Sequence, residues 1–544
     1  MALRVIQALG LGPMLTWANK ETRGRRFVRA EHGGREDSLW PLEELPTALA
    51  PALSFAWRHG LPLALLRDVF RLFADVPVEG PAAAAAEAEK ADVDAAPGTA
   101  AAAGDSVHAF FARHLNPGFA ARFVSALTHG IFSGDSRQLL VRYAFPPLWR
   151  LRQAYGSIVA GGLLDARLKL TAAYADPEAR ETVPAAGVLD VLLGPAAPGL
   201  DALVARARAE RVASLDGGLS GLITALADAG RHEGADLRLG ARVDDMRPLV
   251  TDPASGGQAG RRARIAIRIC AAKAPEAGAS SSADADGTVV PTAAASIDTT
   301  TLIADAVIST LPPDALACLL ARSTAVSDGS DVSRAEEVSA AVAHHARQAH
   351  RRAQAAVAAL SRVRTLSIAV VTLVFRDTEF AALTAPRTAP GFGFLSPASA
   401  ERGLLLGVVY DSCVFPDLAG PRHVVLTAML GGADAACQEQ VEALSERELL
   451  QETRHAMQRH LGVAAEPDLA RLTRWTRAIP QFDATYARAR AVLDSYVAED
   501  APWLFVAGKA FGSGVGVNDC ISSALHAAGD CLHAFGIVDD AAVL

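Results

Sequence analysis

Apolar positions recur at helical spacing from about Leu61 to Leu226, and from Leu237 onward they fall into short alternating or continuous runs of strand type. The runs Asp236 to Val243 (DLRLGARV), Arg264 to Cys270 (RIAIRIC) and Ala304 to Thr310 (ADAVIST) predict three strands, the last stopped by Leu311, Pro312 and Pro313. They follow a helix predicted from about Leu219 to Ala229 and opened by Gly217 and Gly218. Leu366 to Phe375, Leu404 to Tyr410 and Val424 to Leu430 predict three more strands, enough for a second, largely antiparallel sheet. Near the end, Trp503 to Leu532 reads as strand, glycine loop and helix. Leu504 to Val506 is the strand, and Gly508, Gly512, Gly514 and Gly516 admit positive φ and close approach. Asn518 or Asp519 caps a helix running from Ile521 to Leu532. A helix start so exposed favours an electron-rich group, although four glycines before a helix serve a tight turn equally well.

Three low-complexity tracts interrupt the pattern: Glu79 to Gly104, Ala272 to Ser296 and roughly Ser323 to Ala359. The first two are too poor in apolar residues to bury a core and are predicted loops; the third, Ala-rich with Arg and His, could form a solvated helix. The change from helical to strand-like periodicity suggests a helical lobe inserted into an α/β scaffold. At 544 residues the chain is long enough for two domains or one large composite domain. Its net charge of −8 is dispersed, which argues against a nucleic-acid partner. The six cysteines are widely spaced without a CxxC pair, so neither a disulfide framework nor a zinc site is supported. The longest apolar run, around Leu366 to Phe375, falls short of the roughly 20 residues a spanning helix needs. Residues 1–20 lack the order of a secretory signal.

No HExxH, no GxSxG and no His/Cys cluster at metal spacing occurs. His344, His345 and His350 belong to a solvated face, and His129 and His526 sit on predicted helices as packing residues. Arg26, in the short strand GRRFVRA with Arg23, Arg25, Arg29 and Arg35 nearby, reads on residue type either as a surface arginine or as a fork for a carboxylate. Phe145, Pro146, Leu148 and Trp149 form a bulky apolar cluster that reads as core.

GVGVNDCI (Gly514 to Ile521) resembles the carboxy-terminal flavin-contacting segment of the protoporphyrinogen oxidase family, within the flavin amine oxidase superfamily. GIFSGDSRQLLVRYAFPPLWRLRQAYGSIVAGG (Gly130 to Gly162) is similar to the family stretch in which a GxxxGD turn leads to an aromatic-proline pair and a GSI turn. The block Asp216 to Pro312 resembles the second flavin-binding segment. PGFGFLSP (Pro390 to Pro397) and LTAMLGG (Leu426 to Gly432) resemble the walls of the tetrapyrrole pocket, and VVYDSCVFPD after Leu406 is family-like without an obvious chemical group. The resemblance implies noncovalent FAD, with the Val243 backbone at the adenine and Gly508, Lys509, Val515, Gly516 and Val517 along the cofactor. It implies Arg26 on a substrate propionate and Phe392, Leu395 and Met429 holding the ring, a pocket mostly apolar with few polar anchors. Lys509 stands where the family has a small residue, and one extra residue lies between Gly508 and Asn518, which leaves the local register open. No catalytic residue and no metal is implied, because the cofactor carries the redox step.

By resemblance the activity is oxidation of protoporphyrinogen IX to protoporphyrin IX with molecular oxygen as acceptor, the penultimate step of heme biosynthesis. Location is the mitochondrial inner membrane, peripheral, with a homodimer admitted. The helix Leu61 to Phe73, with Arg58, Arg67 and Arg71, either lies in the interface or packs in a core. The expected fold class is α/β with α+β elements: a truncated FAD-binding Rossmann-like domain, a mixed-sheet substrate domain and an inserted helical membrane-associated lobe. The expected division is 1–60 as substrate-domain strands, 61–215 as helical lobe, 216–320 as second FAD-binding segment, 321–365 as Ala-rich insert or helix, 366–500 as substrate-binding sheet and 501–544 as the flavin-contacting end. Family members open with a strand, a GxGxxG turn and a helix for the FAD pyrophosphate, and Met1 aligns beyond that unit. The chain is therefore expected to be a truncated product with weakened cofactor affinity and unpaired strand edges. The alternatives are a polyamine or monoamine oxidase and a noncatalytic remnant that binds a tetrapyrrole or a partner protein. The first is disfavoured by the lack of cysteine in the Gly512 to Val517 loop and by only six Tyr and six Trp for an aromatic cage.

Overall fold

A computed structural model describes residues 2–22, 24–29, 42–44, 61, 105–158, 199–210, 212–249, 264–272, 297–325, 340–384, 389–397, 403–420, 422–512 and 514–538. Its strands are β1 (Leu15–Trp17), β2 (Arg26–Arg29), β3 (Leu42–Glu44), β4 (Ala213–Leu215), β5 (Ala241–Leu249), β6 (Arg264–Ala272), β7 (Ile297–Ala304), β8 (Val307–Ser309), β9 (Thr365–Arg376), β10 (Gly393–Leu395), β11 (Leu405–Val409), β12 (His423–Leu430), β13 (Leu469–Pro480) and β14 (Leu504–Val506). The largest sheet has seven strands in the order β13-β9-β12-β11-β10-β2-β3. All its pairings are antiparallel except β10 with β2.

Strict alternation in β9 and β12 gives this sheet two unlike faces. Ala369, Val371, Leu373 and Phe375, with Val424, Leu426, Ala428 and Leu430, are buried. They pack with Phe27, Phe394, Val408 and Tyr410 against Leu449, Met457 and Leu461 of the helix Glu446–Leu461. That helix is fixed at its start by a capping box, in which Ser445 and Glu448 satisfy each other's backbone N–H. The intervening residues Ile368, Val370, Thr372 and Val374, with Val425, Thr427 and Met429, are only half-buried and lie on the opposite face.

The rest of the scaffold is built from smaller sheets. β5, β6 and β7 form an antiparallel sheet, and β14 pairs with β8 in parallel. Both contribute to one core cluster, in which Met246 and Ile265 meet Leu316, Leu320, Leu504 and Phe511. The Ala-rich helix Ala340–Leu360 buries Ala353, Ala356 and Leu360 in this cluster, so it is a packed helix rather than a solvated one.

β9, β11 and β12 match the predicted strands closely. β13 is absent from the sequence reading because Arg471, Arg474, Trp475 and Arg477 obscure its alternation, as an edge strand with one open face allows. The strand predicted at Asp236 to Val243 lies instead at Ala241–Leu249. Gly240, at φ +70, turns the chain just before it, and Leu239 is 86% exposed. The adjacent Asp244 and Asp245 look like a strand end but are held by Arg322 and Arg247. The strand predicted at Ala304 to Thr310 is two: β7 ends at Ala304 and β8 begins at Val307. The terminal helix begins earlier than predicted, at Val517, with Gly516 at the cap position, and Asp519, one of the two expected capping residues, accepts from the Gly516 N–H from inside the first turn. Residues 62–104 and 159–198 lie outside the described residues, and with them the predicted helix beyond Leu61 and most of the expected lobe; the insert 273–296 lies outside as well.

Candidate functional site

The half-open face of the seven-stranded sheet orders its side chains into two cross-strand rows. One row is Arg26, Gly393, Val409, Thr427, Thr372 and Arg471, each opposite the next on β2, β10, β11, β12, β9 and β13. The adjacent row is Val28, Leu395, Gly407, Met429, Val370 and Thr473. Residues opposite one another share a face, so the first row is polar with an arginine at each end and the second is mostly apolar. Each row crosses six strands, roughly 24 Å.

Three of the four expected substrate residues, Arg26, Leu395 and Met429, stand in these rows, and the fourth, Phe392, adjoins them. Arg26 is exposed, and its guanidinium carbon lies 5.0 Å from the centroid of the Phe392 ring. The Phe392 N–H donates to the Arg25 carbonyl at 2.7 Å, which holds the segment against β2. Gly393 has φ +143, and a Cβ there would stand 2.1 Å from the Val408 carbonyl oxygen, so only glycine lets the chain bend between Phe392 and Leu395. Leu395 folds over Gly407 and against Gly130 of the helix Ser125–Phe132, where added Cβ atoms would fall 3.0 and 2.4 Å from its Cδ2.

That helix ties the face to the carboxy-terminal elbow. Ser133, just past its end, accepts from the Gly432 N–H at 2.8 Å, three residues beyond Met429. Phe132 enters the cluster of Phe482 and Tyr486, and Val515 of the elbow packs on the same cluster. His129 on this helix is 8% exposed, its Nδ1 has no hydrogen-bond partner among the described residues, and burial pushes it down to about 4 against the opposing pull of Asp135. It is a neutral, packed histidine at neutral pH.

The elbow is pinned at several points. The Gly508 N–H donates to Ser523 Oγ at 3.1 Å, and Arg490 Nη1 donates to the Phe511 carbonyl at 2.9 Å. Asp519 Oδ2 accepts from the Gly516 N–H at 3.0 Å. The helix start therefore already carries a carboxylate, which suits a neutral ring edge and repels a phosphate. Gly516 and Val517 are exposed, and Val515 and Lys509 are half-buried. Val243 lies apart from these, 39% exposed on β5 beside the bulge at Asp244, joined to the elbow through the cluster that holds Met246 and Phe511. The residues present thus fit a flat aromatic cofactor at the elbow.

One side chain of interest was not singled out from sequence. Asp411 opens the short helix Asp411–Val414 directly after β11, within VVYDSCVFPD. Burial pushes its carboxyl above the usual carboxylate range, against the pull of the Thr427 hydroxyl and N–H. An Asp after a strand looks like a turn former, so only the fold reveals it. A separate cleft, lined among others by Ser396, Leu405, Leu430, His455 and His460, opens beside the helix Glu446–Leu461 and away from the two rows. Among the described residues no group of His, Cys, Asp and Glu could hold a metal ion, and no helix is long and apolar enough to cross a membrane.

The chain matches the family described as flavin containing amine oxidoreductase over residues 2–532. It is 28% identical to protoporphyrinogen oxidase of Bos taurus over 429 residues, which span 78% of this chain and 68% of the relative. A stretch of 74 residues, 14% of each chain, is 43% identical to coproporphyrinogen III oxidase of Propionibacterium freudenreichii subsp. freudenreichii. A crystal structure from Exiguobacterium sp. 255-15, provisionally named protoporphyrinogen oxidase, shares the fold at a TM-score of 0.54 and 19% identity, covering 98% of this chain and 85% of that one.

Proposed function

The chain belongs to the flavin containing amine oxidoreductases, and from that premise we propose that it oxidises protoporphyrinogen IX to protoporphyrin IX with noncovalent FAD and molecular oxygen. The observation that carries this reading is the two-row face. A tetrapyrrole is a broad apolar disc with acidic arms, and the half-buried Leu395, Met429 and Val370 beside a row headed by Arg26 offer a surface of that character, while Val28 at the end of their row is buried under Phe123 and Ala126. Arg26 would take a propionate through its fork, with Phe392 beneath the guanidinium to orient it. An amine substrate is disfavoured by the arginines at both ends of the polar row. When bound, FAD would supply the two-electron chemistry. The elbow would seat its ring between Val515 and Val517, and the absence of cysteine from Gly512 to Val517 supports noncovalent binding.

A porphyrinogen with four carboxylates is a second reading, favoured by Arg471 at the far end of the polar row. We further propose a peripheral association with the mitochondrial inner membrane. The test of the function is aerobic incubation of the purified, FAD-supplemented protein with protoporphyrinogen IX, following porphyrin fluorescence and oxygen uptake. Putrescine and benzylamine run alongside. Oxidation of the amines without porphyrin formation would overturn the proposal in favour of an amine oxidase.

A further inference from the structure

We propose that the Lys509 ammonium pairs with the phosphate groups of the flavin cofactor and so fixes which way the cofactor lies along the elbow. The inference rests on the flavin reading of the elbow and deepens it, at a position where the sequence departs from the small residue of the family it resembles. β8 and β14 run side by side in parallel, and the Ala507 N–H donates to the Ser309 carbonyl at 2.9 Å at their common carboxyl end. Ligands of parallel α/β sheets bind just beyond the carboxyl ends of the strands. There, exposed Thr310 follows β8, and Gly508 and the half-buried Lys509 follow β14. A Cβ on Gly508 would stand 3.8 Å from Thr310 Cβ, so the two chain ends adjoin.

The polar groups left over at this end are donors. Gly508, at φ +93, has its N–H held by Ser523 Oγ, and its carbonyl accepts from the N–H groups of Phe511 at 3.1 Å and Gly512 at 2.9 Å. The Lys509 ammonium enters no ion pair, and the N–H groups of Lys509 and Ala510 have no partner, among the described residues. An ammonium without a counter-charge beside uncommitted N–H groups complements an anion, and lysine binds phosphate as a point charge. The direction of the cofactor follows from the helix Val517–Ala534, along which the elbow is pinned twice. Asp519 holds the Gly516 end through its N–H at 3.0 Å, and Ser523 holds the Gly508 end. The two pins are four residues apart on the helix, about 6 Å along its axis. That span is comparable with the ribityl chain that joins a flavin ring to its first phosphate. The Asp519 carboxylate repels a phosphate from the Gly516 end, and Lys509 draws it to the Gly508 end. The neutral ring is left beside Val515 and Val517.

The test compares flavins that share the ring and ribityl chain. FMN differs from riboflavin only by a phosphate. Both, and FAD, are titrated into the full chain, following quenching of flavin fluorescence. The wild-type protein is expected to bind FMN on the order of tenfold more tightly than riboflavin, the scale of a hydrogen bond to a charged group. That preference is expected to shrink in high salt, while riboflavin affinity holds. In Lys509→Met, which keeps the apolar stem, the preference is expected to fall to near one and FAD affinity to drop by a similar factor. Riboflavin is expected to bind this variant as it binds wild type, which also reports that the elbow is folded. Lys509→Arg, which keeps the charge, is expected to retain the preference. A wild-type ratio near one overturns the assignment without any variant, and so does a tenfold ratio that survives in Lys509→Met. If the wild-type protein binds none of the three flavins, the flavin reading of the elbow itself fails and the Lys509 assignment falls with it.

Discussion

The guanidinium of Arg26 rests over the ring of Phe392, 5.0 Å from its centroid, although the two residues are far apart in sequence. The parallel pairing of β2 with β10 places Arg26 opposite Gly393, and the hydrogen bond from the Phe392 N–H to the Arg25 carbonyl completes the juxtaposition. An exposed guanidinium held on an aromatic face is pre-oriented for a planar carboxylate. Arg26→Gln is expected to raise the KM for protoporphyrinogen IX by one to two orders of magnitude, with a smaller change in kcat. Phe392→Leu removes about 0.5–1 kcal/mol of cation–π attraction and should raise KM only a few-fold. Steady-state kinetics on both variants and the double variant check this, and additive effects would show that the ring does not orient the arginine.

Gly393 makes the bend that brings Phe392 and Leu395 to their places, and its environment predicts a stability effect. Its φ of +143 is strained for any side chain, and a Cβ would press on the backbone of Val408 and Val409 rather than on a flexible group. Gly393→Ala is expected to destabilise the protein by about 3 kcal/mol or more. Urea denaturation measures it. Wild-type stability in the variant would mean that β10 can shift away from β11 at little cost.

His129 makes stability depend on acid. Burial holds it at about 4 in the folded chain against a usual value of 6.5, so between those values the unfolded chain binds the extra proton. Stability is therefore complete above about pH 6.5 and falls as pH drops toward 4, by about 2 kcal/mol between pH 7 and pH 5 for this group alone. His129→Gln should remove that part of the acid sensitivity. Denaturation curves at the two pH values compare the proteins, and an equal loss in both would place the sensitivity elsewhere.

The legibility of these features in the sequence follows physical lines. Strict alternation made β9 and β12 readable, because one face of each is fully buried and the other only half. β13 was hidden by arginines that an edge strand tolerates, and with it Arg471 at the end of the polar row. The glycine elbow was readable from its glycines. Asp519 was readable as a capping residue, but the helix start at Val517 was not, since Asp519 reaches back to the Gly516 N–H from inside the first turn. Arg26, Phe392, Leu395 and Met429 were named through family resemblance, and their common placement depends on cross-strand register, which no local pattern encodes. Asp411 escaped because its character comes from burial.

Arg490 links the helix Ala484–Asp500 to the elbow and supplies the last prediction. Its Nη1 donates to the Phe511 carbonyl at 2.9 Å, its Nε pairs with Asp494 at 2.8 Å, and its Cζ lies 5.9 Å from the Phe511 ring centroid. Phe511 precedes the glycines that lead to Val515, so this contact sets where the elbow begins. Arg490→Gln leaves a buried carbonyl without its donor, a cost of about 1–3 kcal/mol, and frees the loop. Flavin affinity, followed by quenching of FAD fluorescence, is expected to fall on the order of tenfold, consistent with that cost. Arg490→Lys should recover little of it, because an ammonium cannot hold Asp494 and the Phe511 carbonyl with one rigid fork. Unchanged flavin affinity in both variants would mean that the elbow keeps its shape from the Ser523 and Asp519 bonds alone.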